Sequence, residues 1–132
     1  KKTISLTYEA GDLPHVLADA RRVKEVIVNL VGNSIKYTPE KGRVRVFHEV
    51  QEKELVTHIE DNGYGIPQEA QSKIFEKFYR VQSPETRDIT GTGLGLFIVK
   101  QLVEKMHGTI SFKSEQGKGT TFSFSLPLAS RV

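Results

Sequence analysis

Residues 19–39 read DARRVKEVIVNLVGNSIKYTP, and this stretch predicts the long helix around which the rest of the fold is organised. Asp19 is a residue type that accepts a hydrogen bond from the first turn of a helix, and Pro39 cannot continue one. We therefore expect a helix from Asp19 to about Lys36 or Tyr37. Its apolar residues recur at spacings of three and four, the pattern of a helix that buries one face. This stripe comprises Val23, Val26, Ile27, Leu30 and Val31.

A second face of the same helix carries a line of polar side chains. Asn29, Asn33 and Lys36 follow one another at i, i+4 and i+7, which places them within roughly 60° of each other on a helix. An amide oxygen is a hard ligand suited to Mg²⁺, and a nearby lysine offsets the charge of a phosphate. Taken alone, such a line is more often a solvated helix face, so both interpretations stand at this point.

The remaining segments alternate between strand and helix patterns. Short helical turns are expected from Pro67 to about Phe78, and a second long helix from Leu94 to Met106, closed by Gly108 at the C′ position. Strand patterns cover residues 3–8, 43–50, 54–60, 109–113 and 120–126, and the apolar pair Val16-Leu17 is expected to pair nearby. The whole chain, residues 1–132, is predicted to be one domain. Its fold class is a two-layer α/β (α+β) sandwich, with a mixed, mostly antiparallel sheet of about five strands packed on about three helices.

Composition restricts the possible functions. The chain has 132 residues, 19 basic against 16 acidic, and its formal net charge of +3 is too mild to indicate nucleic-acid binding. Cysteine is absent, which excludes disulfides, thiolate metal sites and cysteine nucleophiles. No apolar run approaches the roughly 20 residues that span a bilayer. The first residue is Lys1 rather than methionine, so we expect a domain of a longer protein, and a membrane-bound parent is not excluded.

A glycine-rich loop follows the strand pattern at 54–60. Asp61 is in phase with Leu55 and Ile59, so its carboxylate should point with the apolar face of the strand, where it needs a donor. The exocyclic amine of a purine would be such a donor. Gly63 and Gly65 allow a sharp turn and the close approach of a flat ligand. A simple Asn-Gly turn between two elements explains the same residues equally well.

A second glycine-rich segment, residues 91–96 (GTGLGL), overlaps the start of the second helix pattern. Glycines that open a helix expose amide hydrogens to an anion, and the helix dipole adds to the attraction. The spacing is not that of a Rossmann fingerprint, and the segment lacks the Gly-Lys-Ser/Thr triplet of a P-loop. It therefore favours a lid that contacts phosphates, with a flexible connector as the alternative.

Four motifs in this order resemble the boxes of the sensor histidine kinases. Residues 29–39 (NLVGNSIKYTP) resemble the N box, 61–66 (DNGYGI) the G1 box, 75–80 (FEKFYR) the F box and 91–96 the G2 box. Residues 117–120 (GKGT) resemble the glycine-rich turn before the last strand of that family. The resemblance covers about residues 3–127, and four boxes in the expected order are far more specific than any one of them.

The resemblance implies the Bergerat ATP-binding fold, shared with gyrase, Hsp90 and MutL, with ATP and Mg²⁺ as cofactors. Asn33 should then be the Mg²⁺ ligand, with Asn29 and Lys36 beside the phosphates. Asp61 should bind the adenine amino group. The other implied contacts of the base and the phosphates are Tyr37, Gly63, Gly65, Ile66, Gly91, Thr92, Gly93, Leu94, Gly95, Leu96 and Thr120.

Arginines and aromatic residues complete the implied site. Arg80, and less directly Arg87, should reach the γ-phosphate. The implied catalytic set is Asn29, Lys36 and Arg80. The residues implied to dock the lid or a partner helix are Phe75, Phe78 and Tyr79. Ordinary core packing of Phe75 and Phe78, three residues apart, is equally compatible with the sequence.

The resemblance also implies an activity. Gyrase-like relatives carry a glutamate, which acts as a general base toward water, where this chain has Asn29, and an amide cannot accept that proton. We therefore expect the ATP-binding half of a protein-histidine kinase, which keeps the γ-phosphoryl group for a histidine on a separate dimerisation domain. The four histidines of the chain, His15, His48, His58 and His107, do not fit the family's acceptor motif. The isolated chain is accordingly not expected to phosphorylate itself.

Further expectations follow from the same resemblance. They are a monomer, a response regulator reached through the histidine-bearing domain, and a cytoplasmic location, in most relatives as part of a membrane-bound bacterial sensor. Three other functions remain compatible with the sequence: an anti-sigma-type serine kinase on the same fold, an ATP-hydrolysing conformational module, and a regulator with degenerate boxes. The F box weighs against the first, Asn29 against the second and the intact boxes against the third.

Overall fold

The computed structural model describes residues 3–9, 13–81, 86, 89, 91 and 93–129 of the chain. Within these residues five strands form one sheet in the order β1-β2-β3-β5-β4, in which β1 and β2 are parallel and all other neighbours antiparallel. The helices lie on one face of this sheet, and the predicted two-layer fold is confirmed. The elements in chain order are β1 (Ser5–Tyr8), α1 (Ala20–Lys36), β2 (Arg43–Val50), β3 (Glu54–Asp61), a 3₁₀ helix (Gln68–Lys73), α2 (Gly95–Lys105), β4 (Ile110–Glu115) and β5 (Gly119–Pro127).

Helix α1 begins and ends as its sequence predicts. The Asp19 carboxylate accepts a hydrogen bond from the Arg21 N–H at 2.9 Å, which satisfies one of the unpaired amides of the first turn. Val26 and Leu30, from the predicted apolar stripe, are fully buried. They belong to one core that includes Val44 of β2 and Ile59 of β3. The helix is therefore held by its apolar face, and its polar line is left toward the opposite side.

Strand β3 shows the alternation that places Asp61 inward. Every second residue of the strand is buried, beginning with Leu55 and ending with Asp61. Asp61 pairs with Val44 on one side and with Thr120 of β5 on the other, so it lies at the end of the two central strands. Tyr64 N–H donates to the carbonyl of Tyr37 at 3.0 Å, which ties the loop after β3 to the end of α1.

The end of helix α2 differs from the prediction. We expected Gly108 at C′, the position that takes a left-handed conformation, but His107 is there, with φ of 66°. His107 N–H donates to the carbonyl of Glu104, and Gly108 N–H to that of Val103, which is the Schellman pattern. Gly108 is needed for another reason: a Cβ there would lie 1.9 Å from the carbonyl oxygen of Ser125.

Two shorter predictions are also confirmed. Val16 forms an antiparallel bridge with Leu128, so the apolar pair Val16-Leu17 does join the sheet region. The turns expected after Pro67 contain the 3₁₀ helix, which begins directly after that proline. Within the part of the chain that the structure describes, no helix combines the length and apolar character needed to cross a bilayer.

Candidate functional site

A cavity of about 310 Å³ opens between α1 and the segments around the second glycine-rich stretch. This volume is at the lower end of the range found for small-molecule and cofactor sites, roughly 300–1,000 Å³. Its walls combine polar groups from α1 with apolar side chains from several elements. The lining residues are Val28, Asn29, Gly32, Asn33, Lys36, Tyr37, Gly65, Ile66, Ile74, Tyr79, Arg80, Val81, Thr86, Gly91, Gly93, Gly95, Leu96 and Phe122.

The predicted polar line of α1 forms one wall of this cavity. Asn29, Asn33 and Lys36 all line it, as the helical spacing requires. Val28 and Gly32 line it too, and sequence reasoning missed them. Each precedes one of the asparagines by a single residue, so helical periodicity was the signal that would have found them. The solvated-face alternative for the polar line does not describe this arrangement, because the line faces a concave site.

The glycines of the second glycine-rich stretch lie close to the ends of these polar side chains. The Asn29 amide group donates to the carbonyl of Glu25 at 2.8 Å, which leaves its Oδ1 as an acceptor. A Cβ on Gly95, the first residue of α2, would lie 3.3 Å from that oxygen. A Cβ on Gly91 would lie 2.8 Å from Lys36 Nζ. Side chains at these glycines would crowd the polar line.

The ends of the segment between the F box and α2 are joined by their backbones. Phe78 N–H donates to the carbonyl of Gly93 at 2.8 Å. Both residues are left-handed, with φ of 68° at Phe78 and 77° at Gly93. A Cβ on Gly93 would lie 2.6 Å from the Phe78 backbone, so only glycine fits at that contact. Residues 79–92 therefore leave and re-enter the fold at one point.

Arg80 supplies a cation at the same cavity. Its guanidinium donates to the carbonyl of Ile89, and its Nε is buried without a hydrogen bond to any described residue. A buried donor without a partner is costly unless a ligand or water satisfies it, so an anion at this position fits the arrangement. Arg87 and Thr92, also predicted to contact nucleotide, lie outside the described residues.

The donor set suits Mg²⁺ held with phosphates better than Mg²⁺ held by protein alone. Among the described residues no three His, Asp or Glu side chains gather as a metal cage. The amide oxygens of Asn29 and Asn33 are hard ligands, and Mg²⁺ is commonly bound through one or two protein groups plus substrate phosphates and waters. The residues present therefore fit a nucleotide-bound ion.

Asp61 lies beneath this site rather than on its wall. It is not among the residues that line the cavity, and only 9% of its surface is exposed. Its Oδ1 accepts two backbone hydrogen bonds, from Gly63 N–H at 2.9 Å and Thr120 N–H at 3.2 Å. Burial raises the pKa of Asp61, and hydrogen bonds from Gly63, Ser34 and Thr120 partly oppose that rise. The carboxylate is thus held at a cost that the fold alone does not recover.

Gly63 and Gly65 are required by close backbone contacts. A Cβ on Gly63 would lie 2.2 Å from the carbonyl oxygen of Tyr37. Gly65 has φ of 72°, and a Cβ there would lie 2.1 Å from the carbonyl oxygen of Glu115. The loop after β3 is therefore pressed against α1 on one side and the β4–β5 turn on the other. This is more than the simple Asn-Gly turn requires.

The apolar part of the cavity wall comes from widely separated segments. Tyr37 and Ile66, both predicted to wall the base, line it together with Ile74, Val81 and Phe122, which were not predicted. Leu96 of α2 lines it as expected, whereas Leu94 precedes α2 as its N-cap residue and is not part of the wall.

The three residues predicted to dock a lid or partner have different surroundings. Phe75 packs edge-on against Phe112 and Phe122, with ring centroids 6.0 and 6.4 Å apart, which is the core arrangement left open by the sequence. Phe78 is 64% exposed, and Tyr79 lines the cavity. A docking role for these residues stays a prediction, and Phe78 is the one with its ring available.

Comparison with known proteins places the chain in a family. Residues 18–130 match the model of the family described as histidine kinase-, DNA gyrase B- and HSP90-like ATPase. The chain is 43% identical over 112 residues to the circadian input-output histidine kinase CikA of Thermosynechococcus vestitus, covering 85% of this chain and 15% of CikA. It is 42% identical over 115 residues to the sensor histidine kinase WalK of Bacillus subtilis, covering 86% of this chain and 19% of WalK. The chain therefore corresponds to a small part of each relative.

Solved structures give the same assignment. The catalytic domain of the histidine kinase ThkA superposes with a TM-score of 0.80 at 30% identity, over 95% of this chain and 80% of that one. Full-length ShkA in complex with AMPPNP superposes with a TM-score of 0.81 at 32% identity, over 98% of this chain and 26% of that one. The chain belongs to the histidine kinase-, DNA gyrase B- and HSP90-like ATPases, as an ATP-binding catalytic domain of the sensor histidine kinase type.

Proposed function

We propose that this domain binds ATP with Mg²⁺ and donates the γ-phosphoryl group to a histidine on a separate dimerisation domain of a two-component sensor kinase. The observation that carries the proposal is the line of Asn29, Asn33 and Lys36 along the cavity wall, with the glycines of segment 91–95 against it. The arrangement offers amide oxygens, an ammonium and close backbone approach in one concave site. This combination suits a triphosphate with its metal.

Each part of the nucleotide has a matching group. Asp61 would accept the exocyclic amine of adenine, with Tyr37 and Ile66 beside the ring. Lys36 and Arg80 would offset the charge of the phosphates, and Asn33 would hold the Mg²⁺. The ion, when bound, neutralises charge on the phosphate oxygens and so supports their transfer.

Transfer to an external acceptor is favoured over hydrolysis by what the cavity lacks. No aspartate or glutamate is among the described residues that line it, and the position of the general base in gyrase-like relatives is Asn29. An amide cannot take a proton from water, so this chain holds no activated nucleophile at the γ-phosphate. A neutral imidazole nitrogen is itself a nucleophile and needs no such base.

The acceptor has to come from outside this chain. None of its four histidines lines the cavity. His48 contacts Tyr8 and Thr57, and His58 contacts Ser123 and Glu49, so both belong to the sheet. We accordingly propose a histidine-bearing partner domain, a response regulator that receives the group from it, a monomeric state for this domain alone, and a cytoplasmic location.

Radiolabelled ATP tests the proposal. The chain is incubated with [γ-³²P]ATP and Mg²⁺, alone and with an isolated histidine-bearing helical hairpin from a sensor kinase. We expect no label on the chain alone, and acid-labile, alkali-stable label on the hairpin. Acid-stable label would indicate a serine kinase, and label on the isolated chain would refute an external acceptor.

Binding and hydrolysis are measured separately, because a mismatched hairpin would also give no label. Calorimetric titration with ATP, with and without Mg²⁺, is expected to show tighter binding with the metal and little steady-state release of phosphate. Asp61→Ala should abolish binding, and unchanged affinity would refute the adenine assignment. Val50→Ala is the control, since Val50 is 55% exposed and lies outside the cavity.

A further inference from the structure

A buried serine under the base site has no function in the account given so far. Ser34 of α1 has no exposed surface. Its carbonyl accepts the hydroxyl hydrogen of Thr38 at 2.7 Å, but its own hydroxyl closes no hydrogen bond to a described residue. A serine inside a helix usually satisfies its hydroxyl on the carbonyl four residues earlier. This one does not, which is a cost that calls for an explanation.

The group nearest in chemical terms is the Asp61 carboxyl. The Ser34 hydroxyl is close enough to this carboxyl to lower its pKa, although the hydrogen bond is not closed in the structure. Both closed hydrogen bonds of Asp61, from Gly63 and Thr120, end on Oδ1. Among the described residues, Oδ2 is therefore the oxygen left for the serine and for a ligand.

We propose that Ser34 is a positioning residue for base selection, whose hydroxyl donates to Oδ2 of Asp61 and keeps this carboxylate an acceptor. The inference rests on the proposed binding of ATP. An ionised carboxylate accepts the amine of adenine and repels the carbonyl that guanine has at the same place. A protonated carboxyl can donate to that carbonyl instead. A donor on Oδ2 therefore favours adenine over guanine.

Other charged groups do not provide this control. Glu60, next to Asp61 on β3, is the charged group that acts on it, and its charge raises the pKa of Asp61. Arg45 of β2 pairs with Glu60 and Glu9 rather than with Asp61. The strand partners of Asp61, Val44 and Thr120, do not titrate. Backbone amides and the one hydroxyl of α1 thus oppose burial and Glu60.

The experiment follows the affinity of the chain for ATP-Mg²⁺ and GTP-Mg²⁺ from pH 5 to pH 8.5. For Ser34→Ala we expect the pH at which ATP binding is lost to move upward, because a hydrogen bond to the charged form is gone. We expect about tenfold weaker ATP binding below that pH, as loss of one charge-assisted hydrogen bond allows, with a smaller ATP-to-GTP ratio. Ser34→Thr, which keeps the hydroxyl, should restore both.

A purely packing role would weaken ATP binding equally at every pH and leave the midpoint in place, and that result would overturn the inference. So would an unchanged ATP-to-GTP ratio. Ser125→Ala is the matched control, because Ser125 is buried on β5 with its hydroxyl against Thr109. Melting curves establish that each variant is folded. If the unmodified chain binds no ATP, the proposed function fails, whereas normal binding with an unaltered pH midpoint in Ser34→Ala refutes the serine alone.

Discussion

Replacing Asp61 by asparagine is expected to stabilise the free domain while removing nucleotide binding. Burial raises the pKa of this carboxyl above its ordinary value of 3.8, so the ionised form destabilises the fold at neutral pH. The stability that a raised carboxyl pKa contributes is complete below 3.8 and is lost as pH rises through the folded-state pKa. Asparagine does not titrate, so the advantage of the variant should be largest near neutral pH and shrink in acid.

The magnitude follows from the contacts. The amide oxygen keeps the bonds from Gly63 and Thr120 but weakens each by about 1 kcal/mol relative to a charged acceptor. The raised pKa means that the removed burial cost exceeds what those bonds return. A net gain of about 1 kcal/mol is of the size that relief of one functional compromise usually brings. In a domain of this size it raises the melting temperature by about 3–5 °C.

Binding is lost because of the same geometry. With Oδ1 held by two backbone donors, the amide nitrogen of the Asp61→Asn variant takes the place of Oδ2 and meets the adenine amine donor to donor. Nucleotide at a hundred times its dissociation constant stabilises a protein by about 2.7 kcal/mol. The order of stability should therefore reverse when ATP-Mg²⁺ is added.

Calorimetric melting at pH 7.5 and pH 5, with and without ATP-Mg²⁺, measures all of these effects. We expect Asp61→Asn to melt above the unmodified chain without nucleotide and below it with nucleotide. A variant that melts lower in both states, or that gains as much from ATP as the unmodified chain, would refute the reasoning from burial.

Three further outcomes follow from particular contacts. Gly65→Ala should cost about 3 kcal/mol, from its left-handed φ and the contact with the Glu115 carbonyl, whereas Gly117→Ala, equally left-handed but with open space around it, should cost about 1–2 kcal/mol in denaturant titrations. Equal losses would contradict the contact. Phe78→Gly should raise the free energy of unfolding by about 1 kcal/mol, because its φ of 68° suits glycine, and leave ATP affinity unchanged; a less stable variant would argue against strain at this residue. Asn33→Ala should reduce the affinity for ATP in Mg²⁺ to the level measured in EDTA, and a persistent Mg²⁺ effect would remove Asn33 as ligand.

Features that depend on neighbours in sequence could be predicted without the structure. Helix α1 is one, since its cap, its apolar stripe and its closing proline all lie within residues 19–39. The inward side chain of Asp61 is another, because strand periodicity is local. The left-handed residue after α2 was misplaced by one position, as glycine is the usual choice there but His107 takes it.

Features that depend on distant contacts could not be predicted. Thr120, which donates to Asp61, is 59 residues away, and nothing in the sequence pairs the two. The apolar cavity wall brings together Ile74, Val81 and Phe122 from three separate segments. Ser34 reads as an ordinary helix residue until its burial and unpaired hydroxyl are seen. These properties arise only when the layers pack.

The backbone bond between Phe78 and Gly93 has a consequence for how this domain can diverge. Because residues 79–92 start and finish at one fixed point, their length and composition are insulated from the sheet and helices. Doubling such a loop adds only about 0.6 kcal/mol to the cost of closing it. Relatives can therefore exchange this segment, shortening or rewriting it to suit a new acceptor, while the nucleotide-binding frame is inherited intact.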